Sequence, residues 1–285
     1  MLIANKYKLN KLIGSGNFGT IYQGENIRTG ELVAIKMESL FSQTKLLKNE
    51  AKVYEYLNRG KYGKNGDDIN GFPIVKWFGI AQDHYCMAIS LLGNSLQVIK
   101  NKRERFSLKI TLKIGIQMVE RLRYVHEKGL IHRDVKPDNF LIGLGKYANL
   151  IYLIDFGFCK KIYMDNVDNV DNEEHKKTRK SIIGTPNFAS INVHKYMDPT
   201  RMDDLESVAY ILIYFYLGKL PWDMLNITND QMLEMKETFA REEKQKGIVP
   251  FVFFEFISLV RDSLNDGIPK YNELIHLMSN GAEPP

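Results

Sequence analysis

The hydrophobic period of this chain changes once along its length. Up to about Ser90, apolar and polar residues alternate in short runs, "YKLNKLI", "GTIYQGENI", "ELVAIKME", "IVKWFGIAQD" and "YCMAISLL", the period of half-buried strands. Glycine in "GSGNFG" and "RTG" separates the first three runs, which are expected to form an antiparallel meander. One amphipathic helix interrupts them, "SQTKLLKNEAKVYEYLNR", with Leu47, Ala51, Tyr54 and Leu57 on one face. From Ser95 onward helical periods dominate, above all Leu108 to Glu127 and Asp203 to Leu217. Strands followed by helices point to an α+β fold. A small antiparallel β-rich lobe, residues 1–90, is expected to join a larger helical lobe, residues 91–285, near Ser90 to Gly93, with ligands bound between them. "GKYGKNGDDINGFP" reads as a loop, and "MDNVDNVDNEEHKKTRKS" as an exposed segment inside the second lobe.

At 285 residues the chain is long enough for a substantial core, and its net charge of +5 is too mild to require nucleic acid as a partner. No apolar run is long enough to span a membrane, and "MLIANKYKLN" lacks a signal core. Two cysteines, Cys86 and Cys159, make neither a disulfide framework nor a zinc site, which suits a reducing intracellular compartment. A monomer in the cytoplasm or nucleus, without membrane or specific nucleic-acid contacts, is the expectation.

The segment Ile131 to Leu141, "IHRDVKPDNFL", sets His132, Arg133, Asp134, Lys136, Asp138 and Asn139 between aliphatic and aromatic anchors. A loop tied into the core at both ends is a rigid platform for chemistry. Asp134 is suited to orient the proton of an attacking hydroxyl, and Lys136 to offset the charge of a transferred phosphoryl group. Asn139 offers an oxygen to magnesium, and the strand "LIYLIDFG" ends in a second hard ligand, Asp155. "IGSGNFGTI" places Gly14, Gly16 and Gly19 between two strands, where backbone N–H groups can approach phosphate oxygens. Its ending is not that of a Walker-A loop. "VAIK" ends in Lys36, and "KNEAKVY" supplies Glu50 to hold that ammonium towards a phosphate.

Taken in order, GxGxFG, VAIK, HRDxKxxN and DFG resemble the eukaryotic protein kinase signature. Within it the chain is similar to the casein kinase 1 group, through "LLGNSL", "HRDVKPDNFLIGLG", "ASIN", "DDLES" and "LPW". That resemblance implies a two-lobed protein kinase fold over residues 1–285, with Mg-ATP as phosphoryl donor and protein Ser/Thr hydroxyls as acceptors. It assigns catalysis to Asp134 and Lys136, and the metal to Asn139 and Asp155. Ile13, Gly14, Ser15, Gly16, Asn17, Phe18, Gly19, Thr20 and Ile21 would cover the phosphates, with Lys36 and Glu50 beneath. Ile89 matches the gatekeeper and Ser90 to Leu92 the hinge, while Val33, Ala34, Leu141 and Ile154 match contacts to the base. Asp204 resembles the aspartate that braces the catalytic loop, and His132 reads as a packing residue.

The chain also departs from that group. "GTPNFAS" puts Pro186 and Asn187 where the group has an arginine that receives phosphate, and "DMLNITNDQ" lacks the basic residues that follow "LPW" there. A weakened preference for phosphate-primed substrates follows. Lys176, Lys177, Arg179 and Lys180 read as a solvated charge run rather than a substitute anion site. Ser90 replaces the hinge glutamate, and no regulatory tail is expected. Activity without phosphorylation of the loop facing Arg133 is also expected, since that loop already carries Glu173 and Glu174. The rival readings are a pseudokinase scaffold and a small-molecule phosphotransferase. Retention of Lys36, Asp134 and Asp155 argues against the first, and "GTPNFASIN", which resembles a protein-substrate platform, against the second.

Overall fold

The computed structural model describes residues 1–16, 19–59, 71–162 and 181–281. Asn17 and Phe18, most of the two loops named above, Glu173, Glu174 and the Lys176–Lys180 charge run lie outside the described residues. The chain forms two compact units, Met1–Asn94 with Leu141–Cys159, and Ser95–Phe140 with Lys160–Pro285. The short segment from Leu141 to Cys159 thus packs with the N-terminal strands.

In the first unit a six-stranded antiparallel sheet is built from β1 (Leu2–Ile3), β2 (Tyr7–Gly16), β3 (Gly19–Asn26), β4 (Leu32–Ser39), β5 (Val75–Ala81) and β6 (His84–Ser90). Its order is β1-β2-β3-β4-β6-β5, so only the first four strands meander in sequence and β6 inserts between β4 and β5. The register Val33↔Ser90 to Ser39↔His84 joins β4 to β6 along their lengths. One face buries Ile3, Tyr7, Val33, Ile35, Met37, Cys86 and Ala88. Helix α1 (Leu47–Asn58) buries Leu47, Ala51, Tyr54 and Leu57, the face its spacing defines. It starts several residues later than the periodicity suggests. Its N-cap residue Leu46 makes no side-chain cap, and the buried Glu38 of β4 accepts the Leu46 N–H at 2.9 Å instead. A carboxylate there satisfies an orphan donor and complements the helix dipole, fixing where α1 begins.

The second unit is helical. It holds α2 (Leu96–Asn101), α3 (Leu108–Glu127), α4 (Ile191–His194), α5 (Arg201–Leu217), α6 (Asn229–Lys246), α7 (Phe251–Asp266) and α8 (Tyr271–Gly281). Ser107 caps α3 by accepting the Ile110 N–H, and the capping box of Thr200 and Asp203 starts α5. Helix α5 is buried almost all round from Met202 to Ile213, and α3 and α7 pack against it. Two short ladders flank the His132–Asn139 segment in sequence: β7 (Leu130–Ile131) pairs with β10 (Lys160–Lys161), and β8 (Phe140–Ile142) with β9 (Ile151–Leu153). No helix among the described residues is long and apolar enough to cross a membrane.

Candidate active site

Within the first unit the sequence-nominated groups converge on Lys36. Its ammonium donates to Glu50 Oε2 at 2.7 Å and to Asp155 Oδ1 at 3.2 Å, with only 12% of its side chain exposed. Burial alone would lower its pKa, but the two carboxylates outweigh it and raise the pKa above the ordinary lysine value. An ammonium has three N–H donors, so one remains without a protein partner among the described residues. Tyr54, one turn beyond Glu50, is fully buried and its hydroxyl accepts the Asp155 N–H at 3.0 Å. Burial, and the charge of Glu50, raise the phenol pKa well above its usual value. Tyr54 therefore stays neutral and hydrogen-bonds Glu50 as well. Asp155 sits at φ 66°, a left-handed conformation that a non-glycine residue holds only when its surroundings impose it.

The glycine hairpin pairs Gly14 with Ile21, Ser15 with Thr20 and Gly16 with Gly19. Its glycines differ in purpose. A Cβ on Gly16 would meet nothing within 4 Å, whereas one on Gly19, at φ 115°, would lie 2.0 Å from the Met37 carbonyl oxygen. Gly19 is thus required by the approach of β4, whereas the space beside Gly16 would admit a side chain. Val33 and Ala34 are buried, while Ile13 is exposed and Ile89, Leu92, Leu141 and Ile154 are half-buried. Ser90 accepts the Ile74 N–H on its hydroxyl at 3.1 Å.

In the second unit the His132–Asn139 segment is centred on Asp134, which is 4% exposed. Lys136 Nζ donates to its Oδ2 at 2.7 Å and Thr185 Oγ1 to its Oδ1 at 3.1 Å, while Asn139 Nδ2 donates to its backbone carbonyl at 2.8 Å. With its amide group so committed, Asn139 has its oxygen free of that bond. Asp204 on α5 braces the segment by accepting the N–H groups of His132 at 2.7 Å and Arg133 at 2.9 Å, and it also bonds His126. Burial would raise the Asp204 pKa, but these bonds and the neighbouring histidines hold it below the ordinary carboxylate value. Arg133 takes a left-handed φ of 70°, and Gly184 comes so close that a Cβ there would lie 2.7 Å from the Arg133 carbonyl. His132 is fully buried and accepts the Asp134 N–H on Nδ1 at 3.3 Å, a packing role.

Residues 7–266 match the protein kinase domain family. The chain belongs to the protein kinases. Kinases of this family generally use Mg-ATP. The spare Lys36 donor suits a phosphate oxygen. Among the described residues no cluster of three or more His, Cys, Asp or Glu could bind a metal unaided. The Asp155 carboxylate, in the first unit, is a hard oxygen ligand of the kind magnesium takes alongside phosphates. Thr185 and Tyr54, which touch Asp134 and Asp155, stand outside the short motifs of the sequence. Tyr54 could have been found, because it follows Glu50 by four residues and so shares its helix face. Thr185 lies 51 residues from Asp134 and carries no such local signal.

Proposed function

We propose that this kinase transfers the γ-phosphoryl group of Mg-ATP to Ser/Thr hydroxyls of proteins, in the manner of the casein kinase 1 group. The observation that carries this reading is the Asp134 carboxylate, held on one oxygen by Lys136 and on the other by Thr185. Asp134 would orient the acceptor hydroxyl and receive its proton, with Lys136 beside it to offset charge developing on the transferred group. Lys36, fixed by Glu50, would hold phosphate oxygens under the 13–21 hairpin, and Asn139 and Asp155 would hold magnesium. Magnesium, when bound, offsets negative charge on the phosphates. Ala34, Ile89, Leu141 and Ile154 would sandwich the base, with hinge backbone at Ser90 and Leu92 bonding its edge. Asn187 and the run after Trp222, which carries Asp223 and Asp230 and no basic residue as far as Gln231, support a weak preference for phosphate-primed substrates.

The test is radiolabelled phosphate transfer to casein and serine peptides. Asp134→Asn is expected to lower the rate by roughly 10² to 10⁴, the usual contribution of a positioned acid or base. A folded wild-type chain that transfers nothing would make it a scaffold, and an unaffected Asp134→Asn would remove this loop from the chemistry.

A further inference from the structure

The most unusual buried group lies away from Asp134. Lys236 of α6 is 1% exposed, and no carboxylate among the described residues is within ion-pair distance of it. Its ammonium donates to the backbone carbonyls of Pro186 at 2.8 Å and Ala189 at 2.6 Å. It also lies 3.1 Å from His194 Nε2, over the Tyr210 ring at 4.8 Å and the Trp222 ring at 5.2 Å. Burial pulls its pKa down to about 7, opposed by the more distant Glu206. The two carbonyls and two ring faces add further support for the charged form. Burying an ammonium is unfavourable, so a methionine would fill this volume at lower cost. What the lysine supplies that a methionine cannot is a set of donors aimed at one backbone segment.

That segment is Thr185 to Ala189. It is a tight turn, since Phe188 and Ala189 both donate their N–H groups to the Thr185 carbonyl. Three of its carbonyls are pinned from helices and loops of the same unit: Pro186 and Ala189 by Lys236, and Asn187 by Trp222 Nε1 at 2.8 Å. His194 Nε2 adds a contact of 3.1 Å to the Pro186 oxygen. The first residue of the turn, Thr185, touches the Asp134 carboxylate. Any shift of the pinned carbonyls is therefore passed to the group beside the acceptor hydroxyl.

We propose that Lys236 is a positioning residue for the acceptor protein: its buried ammonium sets the conformation of the Thr185–Ala189 turn and so determines how well a Ser/Thr peptide is held against Asp134. This rests on the phosphotransfer reading of Asp134. Lys236 touches neither reacting atom, and the residues assigned to ATP lie mainly in the other unit. Its effect falls on the peptide.

Steady-state kinetics with Mg-ATP and a serine peptide, on wild type, Lys236→Met and Lys236→Gln, separate the possibilities, with melting curves for each. Lys236→Met keeps the volume and removes the donors, and is expected to raise the peptide KM by about tenfold or more while the KM for ATP stays within about twofold. Lys236→Gln keeps two N–H donors without charge and should recover a substantial part of the peptide affinity. General loss of folded protein would instead lower kcat and leave both KM values unchanged. An unaltered peptide KM in a folded Lys236→Met overturns the proposal, as does failure of both variants to fold, which would assign Lys236 to the fold alone. A folded wild type without transfer to any hydroxyl overturns the phosphotransfer reading, and this proposal with it.

Discussion

Tyr54 carries the clearest unassigned role at the scale of single residues. Its hydroxyl joins the helix that holds Glu50 to the backbone of Asp155, where the chain is bent into a left-handed conformation. Tyr54→Phe keeps the ring, including its edge-on contact with Phe156 at 5.3 Å between centroids, and deletes only the hydroxyl. Loss of this hydrogen bond costs about 0.5–1.5 kcal/mol. The expected outcome is a loss of stability in that range by denaturant titration. It should come with a fall in kcat of about fivefold or more, because the Asp155 carboxylate loses its fixed direction. A kcat equal to wild type would show that the Lys36 contact at 3.2 Å orients Asp155 by itself. The sequence exposed Lys36, Glu50, Asp134, Asn139 and Asp155 because each sits in a short motif. Lys236 had no such signal, since "LEMKET" reads as the polar face of an ordinary amphipathic helix.

At the scale of elements, α3 was legible to its ends because Ser107 states its start and the apolar period runs unbroken to Glu127. Helix α1 was legible in its face but not in its start, which depends on Glu38 from another strand. Strand existence was likewise readable, while the insertion of β6 between β4 and β5 depends on pairing that period alone does not encode. The turn Thr185–Ala189 and the segment after Trp222 decide a further property. Asn187 Nδ2 donates to Asp223 Oδ1 at 3.3 Å, so a substrate phosphate there would meet a committed amide beside a carboxylate. Phosphate gains most from arginine forks. Matched peptides with phosphoserine or serine three residues before the acceptor should differ in kcat/KM by about threefold or less, under ~1 kcal/mol for an exposed contact. Asn187→Arg should widen that ratio in favour of the phosphorylated peptide. A tenfold preference in the unmodified chain would mean that another basic group receives the phosphate.

For the molecule as a whole, His194 and Asp204 make stability depend on pH in two separate windows. His194 is 3% exposed, its Nδ1 has no hydrogen-bond partner, and burial together with the nearby Lys236 charge lowers its pKa to about 4. An unfolded histidine titrates near ~6.5. Above that value neither state carries the proton, and His194 contributes nothing to the pH dependence. As pH falls from about 6.5 to 4, the unfolded chain takes up a proton that the folded chain refuses, so stability declines across this interval. Asp204 behaves oppositely in origin. Its folded pKa is depressed, so its contribution is intact above the ordinary carboxylate value and is lost only as pH falls through the lower folded value. Lys236 is protonated in both states through most of the histidine window, since burial brings it down only to about 7. Glu206, the other charge near both groups, is paired with Arg261 at 2.8 Å. Urea titrations at pH 7 and pH 5 should therefore show a lower midpoint at pH 5 for wild type. His194→Gln, whose amide can reach the Pro186 carbonyl from the same side, should show a smaller drop and take up about one proton fewer on unfolding at pH 5. An equal drop in both proteins would place the acid sensitivity in other groups and leave His194 free to ionise where it stands.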